Sequence, residues 1–277
     1  MKTVREAVYA GGFYPANAAQ LRWQVGEYLD AAQPLPEAQD ILGVVVPHAG
    51  YVYSGACAGA GYRSLMQRSF STVVVIAPSH HVGGYCFSIG DFSAYRTPLG
   101  EMPVAEADVA ALLAAPDAVF VPAAHQQEHA LEVQLPFLQS ISQAALVPIV
   151  LGNQSMEGSR RLAALLSRHF GGRLHEVAFV ISSDLSHYHP AAVAQQLDEE
   201  VIRHFEAGET GILAKKMEDR TLEACGWGGI VTLMLLAEEL DYYQRRSLRY
   251  YHSGKINGDG EHVVGYMSSL IYRKERI

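Results

Sequence analysis

Cysteine is scarce in this 277-residue chain: only Cys57, Cys86 and Cys225 occur, and no two of them form a CxxC pair. An odd number of widely spaced thiols argues against a disulfide framework or a structural zinc knuckle. It suits a reducing compartment, where a thiol is free to act as ligand or nucleophile. There is no basic run. Lys and Arg total 21 against 29 Asp and Glu, a net charge of -8, so nucleic acid is not an expected partner. No window approaches the roughly twenty apolar residues of a membrane span, and the opening MKTVREAVYAGGFYP has no apolar stretch of about seven to fifteen residues behind its basic ones. A soluble, cytoplasmic protein with no membrane partner is expected. Repeats and low-complexity tracts are absent too, and the one linker-like stretch, residues 33–39 with Pro34 and Pro36, reads as a join between the first helix and the first strand. Apolar side chain is plentiful, at 49% hydrophobic against 18% charged residues, which suffices for a sizeable core. Residues 1–277 are expected to form one domain.

Short β-branched runs alternate with stretches of helical length, the pattern of strand and crossover helix in a buried, largely parallel sheet. Strands are predicted at 41–46 (ILGVVV), 72–77 (TVVVIA), 145–151 (ALVPIVL) and 176–182, each a continuous apolar run of the kind covered on both faces. Two more are predicted at 247–252 and 262–272. Helices are predicted at 18–30 with Asn17 as cap, and at 104–114, 157–170, 191–206 and 228–240. Leu162, Leu165 and Leu166 recur at helical spacing and read as core. The fold class is therefore α/β, a central largely parallel or mixed sheet flanked by helices.

Chemistry gathers at the strand ends. The first strand runs into PHAGYVYSG, which puts His48 at the carboxyl end of a strand, a favoured place for function in an open α/β sheet. The second ends in APSHH with His80 and His81, of which one also reads as a solvated loop residue. The fourth ends in SSDLSHYH, with Asp184 and His187 three residues apart. Each segment has a bland reading. A histidine can simply be hydrogen-bonded in a turn, and Asp after Ser-Ser often caps one. Three strands delivering such groups to one edge is harder to attribute to packing, because each unpaired buried polar group costs about 1 to 3 kcal/mol. Cys225, in EACGWGG ahead of an apolar helix, reads as a small buried residue or as a thiolate near a helix start. In HQQEHALEVQLPF, His129 and Glu132 fall on one helical face with Glu128 beside them and Pro136 interrupting the helix. A local surface pair is the alternative reading.

The ordered set AGGFYP, PHAGYVYSG, APSHH, YRTPLG, EHALEVQLPF, SSDLSH and CGWGG resembles the Memo-like family over nearly the whole chain. Bacterial members are also called AmmeMemoRadiSam system protein B, and the family is similar in fold to class III extradiol ring-cleavage dioxygenases. Those enzymes hold non-haem iron with two histidines and a glutamate, and the Memo-like pattern substitutes cysteine for glutamate. The resemblance implies His48, His80 and Cys225 as metal ligands and His187 as acid or base. It implies Asp184 as an additional ligand or orienter and His129 as a pocket histidine, so His187, Asp184 and His129 are the catalytic candidates. His81, Tyr51, Tyr53, Tyr188 and Trp227 are candidate pocket residues, although each aromatic is equally an ordinary core or rim residue. Fe(II) is the implied cofactor, with Cu or Zn as alternatives, since a thiolate is softer than a carboxylate and oxidisable. The implied function is a metal-dependent oxidoreductase acting on a small aromatic molecule, in a pathway with AMMECR-like and radical SAM proteins as partners. The alternatives are a peptide- or metal-binding adaptor without turnover and a zinc hydrolase.

Overall fold

The computed structural model describes residues 2–38 and 40–274; Gln39, the last residue of the anticipated linker, and both extremities of the 1–277 span lie outside the described residues. The main path of the central sheet runs Gln244–His252, Val263–Arg273, Asp40–Val46, Val177–Ser182, Thr72–Pro78, Ala145–Leu151, Phe87–Ile89 in space. Its middle four strands, the apolar runs of the sequence, pair in parallel. The flanking strands pair antiparallel on both sides, so the sheet is mixed. A short strand, His187–His189, joins the beginning of Val263–Arg273. A separate small sheet contains Val4–Arg5, Ala94–Thr97 and Gly100–Pro103.

Alternation along Asp40–Val46 shows why the run is apolar throughout. Gly43 faces Leu233 of the helix Trp227–Glu239, while Val44 and Val46 face Gly61 of the helix Tyr51–Leu65. Successive side chains of a strand point to opposite faces, so helices cover the sheet on both sides and neither face meets water. The helix Met156–Phe170 packs beside Trp227–Glu239, with Leu162 and Leu166 fully buried as their spacing predicted. Asn17 caps Ala18–Asp30, its Oδ1 accepting the Gln20 N–H at 3.0 Å.

Tyr51–Leu65 has no counterpart among the helices expected from sequence. It is buried over most of its length, so the amphipathic period that marks a surface helix is missing, and its glycines are individually unfavourable by about 1 kcal/mol against alanine. Close approach accounts for two of them. A Cβ at Gly55 would lie 2.3 Å from the Tyr28 ring and one at Gly59 2.6 Å from the Tyr28 carbonyl oxygen. Pro136 also differs from expectation. It sits in the first turn of its own helix, Leu135–Ile141, where a missing N–H costs nothing, and so it starts a helix instead of interrupting one.

Candidate metal centre

Three neighbouring parallel strands end at one edge of the sheet. Asp40–Val46 leads to His48, Thr72–Pro78 to His80, and Val177–Ser182 to Asp184, all beyond carboxyl ends. The fourth contributor is the one-turn helix His129–Glu132, capped by Glu128, whose side chain accepts the Ala130 N–H at 2.8 Å. One ring nitrogen from each of His48, His80 and His129 lies within 4.8 Å of the others, the one such group of potential ligands among the described residues. The His80 and His129 rings are 4.4 Å apart between centroids, and His48 stands 5.3 and 5.4 Å from them. Cys225 joins from the turn ahead of Trp227–Glu239, its Sγ 3.1 Å from His48 Nε2.

Hydrogen bonding fixes the His48 tautomer. The Ser182 hydroxyl donates to the Ala130 carbonyl at 2.6 Å and accepts Gln134 Nε2 at 2.8 Å. Its one proton is thereby committed, so in the 2.8 Å contact with His48 Nδ1 the ring N–H is the donor. His48 Nε2 keeps its lone pair on the side of Cys225. Burial, then the charges of His80 and His129, hold the His48 imidazole well below its ordinary value and keep it neutral. His129 is likewise pushed down to about 4, by burial first and then by His80. Neutral imidazole is the form that binds metal.

Asp184 is buried, and its Oδ1 accepts the His48 backbone N–H at 2.8 Å, so it braces the turn that carries this histidine. Burial raises its carboxyl to about 6 against the opposing hydrogen bonds from His48 and Ala49. The Asp184 N–H also points at Cys225 Sγ, 3.2 Å away. Burial, then the Asp184 charge, push the Cys225 thiol up, which leaves it protonated until a cation lies beside it. Glu128 is buried and touches two of the rings, with Oε1 2.9 Å from His80 Nδ1 and 3.3 Å from His129 Nδ1. Burial opposes its ionisation, yet the hydrogen bond and charge of His80 outweigh this and hold it below the usual carboxylate range.

The remaining expected residues are spread around this centre. His187 donates Nδ1–H to the Leu185 carbonyl at 2.8 Å, which leaves Nε2 free, and its charge is felt at both His48 and Asp184. His81 is exposed, with Nε2 3.3 Å from the Tyr9 hydroxyl. Tyr51 belongs to the core and donates its hydroxyl to the Val133 carbonyl at 2.7 Å. Tyr53 lines a surface groove of about 420 Å³ together with Phe13, Tyr14 and Gly50. Tyr188 is 72% exposed in a left-handed conformation, φ 63°, and Trp227 packs half-buried on the core. The local surface pair contemplated for His129 and Glu132 is not there. Glu132 is fully buried and faces the N-terminal segment, where it accepts from Arg5, Tyr14 and the backbone of Val8 and Tyr9.

That segment brings residues no spacing rule identified. The Phe13 ring lies 4.7 Å from the His129 ring and Tyr9 5.5 Å, two half-buried aromatics beside the trio. Their one sequence signal is the cluster of Tyr, Phe and Gly in YAGGFYP.

Comparison with known proteins agrees over the full length. The family model described as Memo-like protein matches residues 5–270. A MEMO1 family protein of Caldivirga maquilingensis is 34% identical, across 97% of this chain and 99% of that protein. One of Methanobrevibacter smithii is also 34% identical, across 96% and 99%. A third, from Thermotoga maritima, is 32% identical across 97% and 99%. Among solved structures, the uncharacterized protein JW3007 from Escherichia coli K12 superposes with a TM-score of 0.54 over 84% of this chain and 100% of that one. Its 11% identity makes this a likeness of fold alone. Among the described residues no helix is long and apolar enough to cross a membrane.

Proposed function

Since this chain belongs to the Memo-like protein family, we propose that its strand-end pocket holds one transition-metal ion, iron ahead of copper or zinc, and uses it in an oxidoreductase reaction on a small aromatic molecule. The observation that carries this reading is the convergence of His48, His80 and His129, with one nitrogen of each within 4.8 Å of the others. Imidazole suits iron, copper and zinc alike, and the Cys225 thiol beside His48 adds a softer donor to the same set. Such an ion would supply Lewis acidity and, as iron or copper, electron transfer.

The chain's own groups divide the remaining work. His48 and His80 are the ligands common to either choice of third donor, His129 or Cys225. Asp184 holds the His48 turn through the backbone N–H. His187, with Nε2 unengaged, accepts or returns a proton at the pocket rim. Tyr9 and Phe13 flank His129 and give an aromatic substrate faces to stack against.

The test is an anaerobic titration of metal-free protein with Fe(II), Cu(I) and Zn(II), followed by oxygen in the presence of a catechol or a simple phenol. One equivalent of Fe(II) retained against a weak chelator, with substrate-dependent oxygen uptake, is the expected result. Retention of zinc alone without oxygen uptake redirects the reading to hydrolysis. Failure of all three metals to bind, or His48→Ala and His80→Ala variants that bind as the parent does, overturns it.

A further inference from the structure

We propose that Glu128 is a positioning residue that sets the tautomer of the His80 imidazole and so aims its Nε2 into the pocket. The inference rests on the metal reading for its purpose, and on hydrogen-bond geometry for its substance. Glu128 Oε1 receives His80 Nδ1 at 2.9 Å and the Ala130 N–H at 2.8 Å, and stands 3.3 Å from His129 Nδ1. Oε2 receives the His80 backbone N–H at 2.7 Å. Every one of these partners meets an ionised carboxylate, which only accepts. His80 Nδ1 must therefore carry a proton, which makes Nε2 the nitrogen that its neutral ring offers to a metal.

A simpler role is also visible. Glu128 is the N-cap of His129–Glu132, and its backbone carbonyl accepts from Arg5 at 3.0 Å. A cap needs one acceptor oxygen directed at Ala130, and glutamate is unusual there beside Ser, Thr, Asp and Asn. The second oxygen is not accounted for by capping. It reaches back across the chain to the strand end that carries His80, and with Oε1 it grips that residue at both backbone and ring. The buried carboxylate thus links a strand end to a helix start, the two elements that must keep their imidazoles in register. It also leaves one negative charge buried beside the trio of rings, which favours a cation among them.

The roles separate in Glu128→Ser. Serine is a preferred N-cap whose hydroxyl can take over the Ala130 N–H, but it is too short to accept from the His80 ring. Long-range ¹⁵N–¹H spectra of the metal-free protein read histidine tautomers directly. In the parent, His80 is expected as Nδ1–H. In Glu128→Ser, His80 is expected to lose its preference for Nδ1–H, and Fe(II) or Zn(II) affinity, measured by chelator competition, to fall about 10- to 100-fold. Glu128→Asp keeps the charge with a shorter reach and is expected to regain part of that affinity.

Parent spectra with His80 as Nε2–H overturn the proposal without any variant, even if Glu128→Ser does not fold. So does a folded Glu128→Ser with unchanged tautomers and unchanged affinity. A parent that binds no metal but shows His80 as Nδ1–H removes the metal reading and leaves the tautomer assignment standing.

Discussion

The contact between Arg5 and Glu132 joins the N-terminal segment to the helix that carries His129, and its removal has a calculable cost. The two side chains are 2% and 0% exposed. The guanidinium bonds the Glu132 carboxylate and also donates to the carbonyls of His125 at 3.0 Å, Glu6 at 2.9 Å and Glu128 at 3.0 Å. Arg5→Ala leaves a buried carboxylate without its cation, a loss of about 3 to 5 kcal/mol for pairs of this kind. Glu132 retains the Val8 and Tyr9 N–H groups and the Tyr14 hydroxyl, so the lower end, about 3 kcal/mol, is expected. At about 2 to 4 °C per kcal/mol this is a fall in Tm of roughly 6 to 12 °C. Adding Glu132→Gln removes the stranded charge, so the double variant is expected to be more stable than Arg5→Ala alone, with a coupling of at least about 1 kcal/mol. Urea denaturation of the four proteins of the cycle measures both quantities. A single-variant cost below about 1 kcal/mol, with additive singles, would refute the reasoning, because it would mean that the carboxylate is solvated and not held by the guanidinium.

Other expectations concern single groups. His125 is buried between Ser88 and Tyr95, and burial lowers it to about 3. Its stabilising effect is whole above the unfolded value near 6.5 and declines as pH falls toward 3, by about 2 to 3 kcal/mol at pH 4.5. His125→Gln, less stable at neutral pH, is expected to show a flatter stability profile between pH 6.5 and 4, and an unchanged slope would count against the assignment. Cys225→Ser is expected to keep its fold and lose bound metal, read by elemental analysis alongside Tm, while full metal content would place the thiol outside the ligand set. Gly226→Ala would set a Cβ 2.3 Å from the Ser182 carbonyl oxygen, so the turn must move. A loss of about 1 to 3 kcal/mol together with weaker metal binding is expected, and a neutral effect on both would show that the turn yields freely. Tyr188→Gly should raise stability by up to about 1 kcal/mol, since the ring is largely exposed and only its left-handed backbone is costly; calorimetry showing a loss would mean that the ring makes contacts worth more than the strain.

What sequence alone revealed depended on how local the signal was. The four parallel strands were legible because a continuous β-branched run of six or so residues fits little besides a strand covered on both faces. His48, His80 and Asp184 followed from their place just beyond those runs. Tyr51–Leu65 was not legible, because a helix buried on nearly all sides shows no period and carries glycines that make sense only once Tyr28 is packed against them. The same limit hid the braces of the pocket. Ser182 fixes His48, and Glu128 grips His80, across separations in sequence that no spacing rule spans. His129 was identified beside Glu132, yet the two do not pair: His129 joins the imidazole trio, while Glu132 bonds Arg5 and the backbone of Val8 and Tyr9. A four-residue helix gives i and i+3 no long face to share.

The strand Val263–Arg273 lies between Gln244–His252 and Asp40–Val46, and its Gly265 exchanges backbone hydrogen bonds with Leu185 and Ser186 in the loop that bears Asp184 and His187. During synthesis, Val45 emerges long before its neighbour Ser269, so a ribosome-bound chain carries every candidate ligand while an interior strand is still an open edge. Unpaired edges of that kind recruit other strands, and sheets that close by such distant pairing form slowly. The pocket is thus among the last parts of the protein to acquire its shape. A chain stalled before residue 263 would be prone to aggregate and would display its histidines without a brace for the loop beside them.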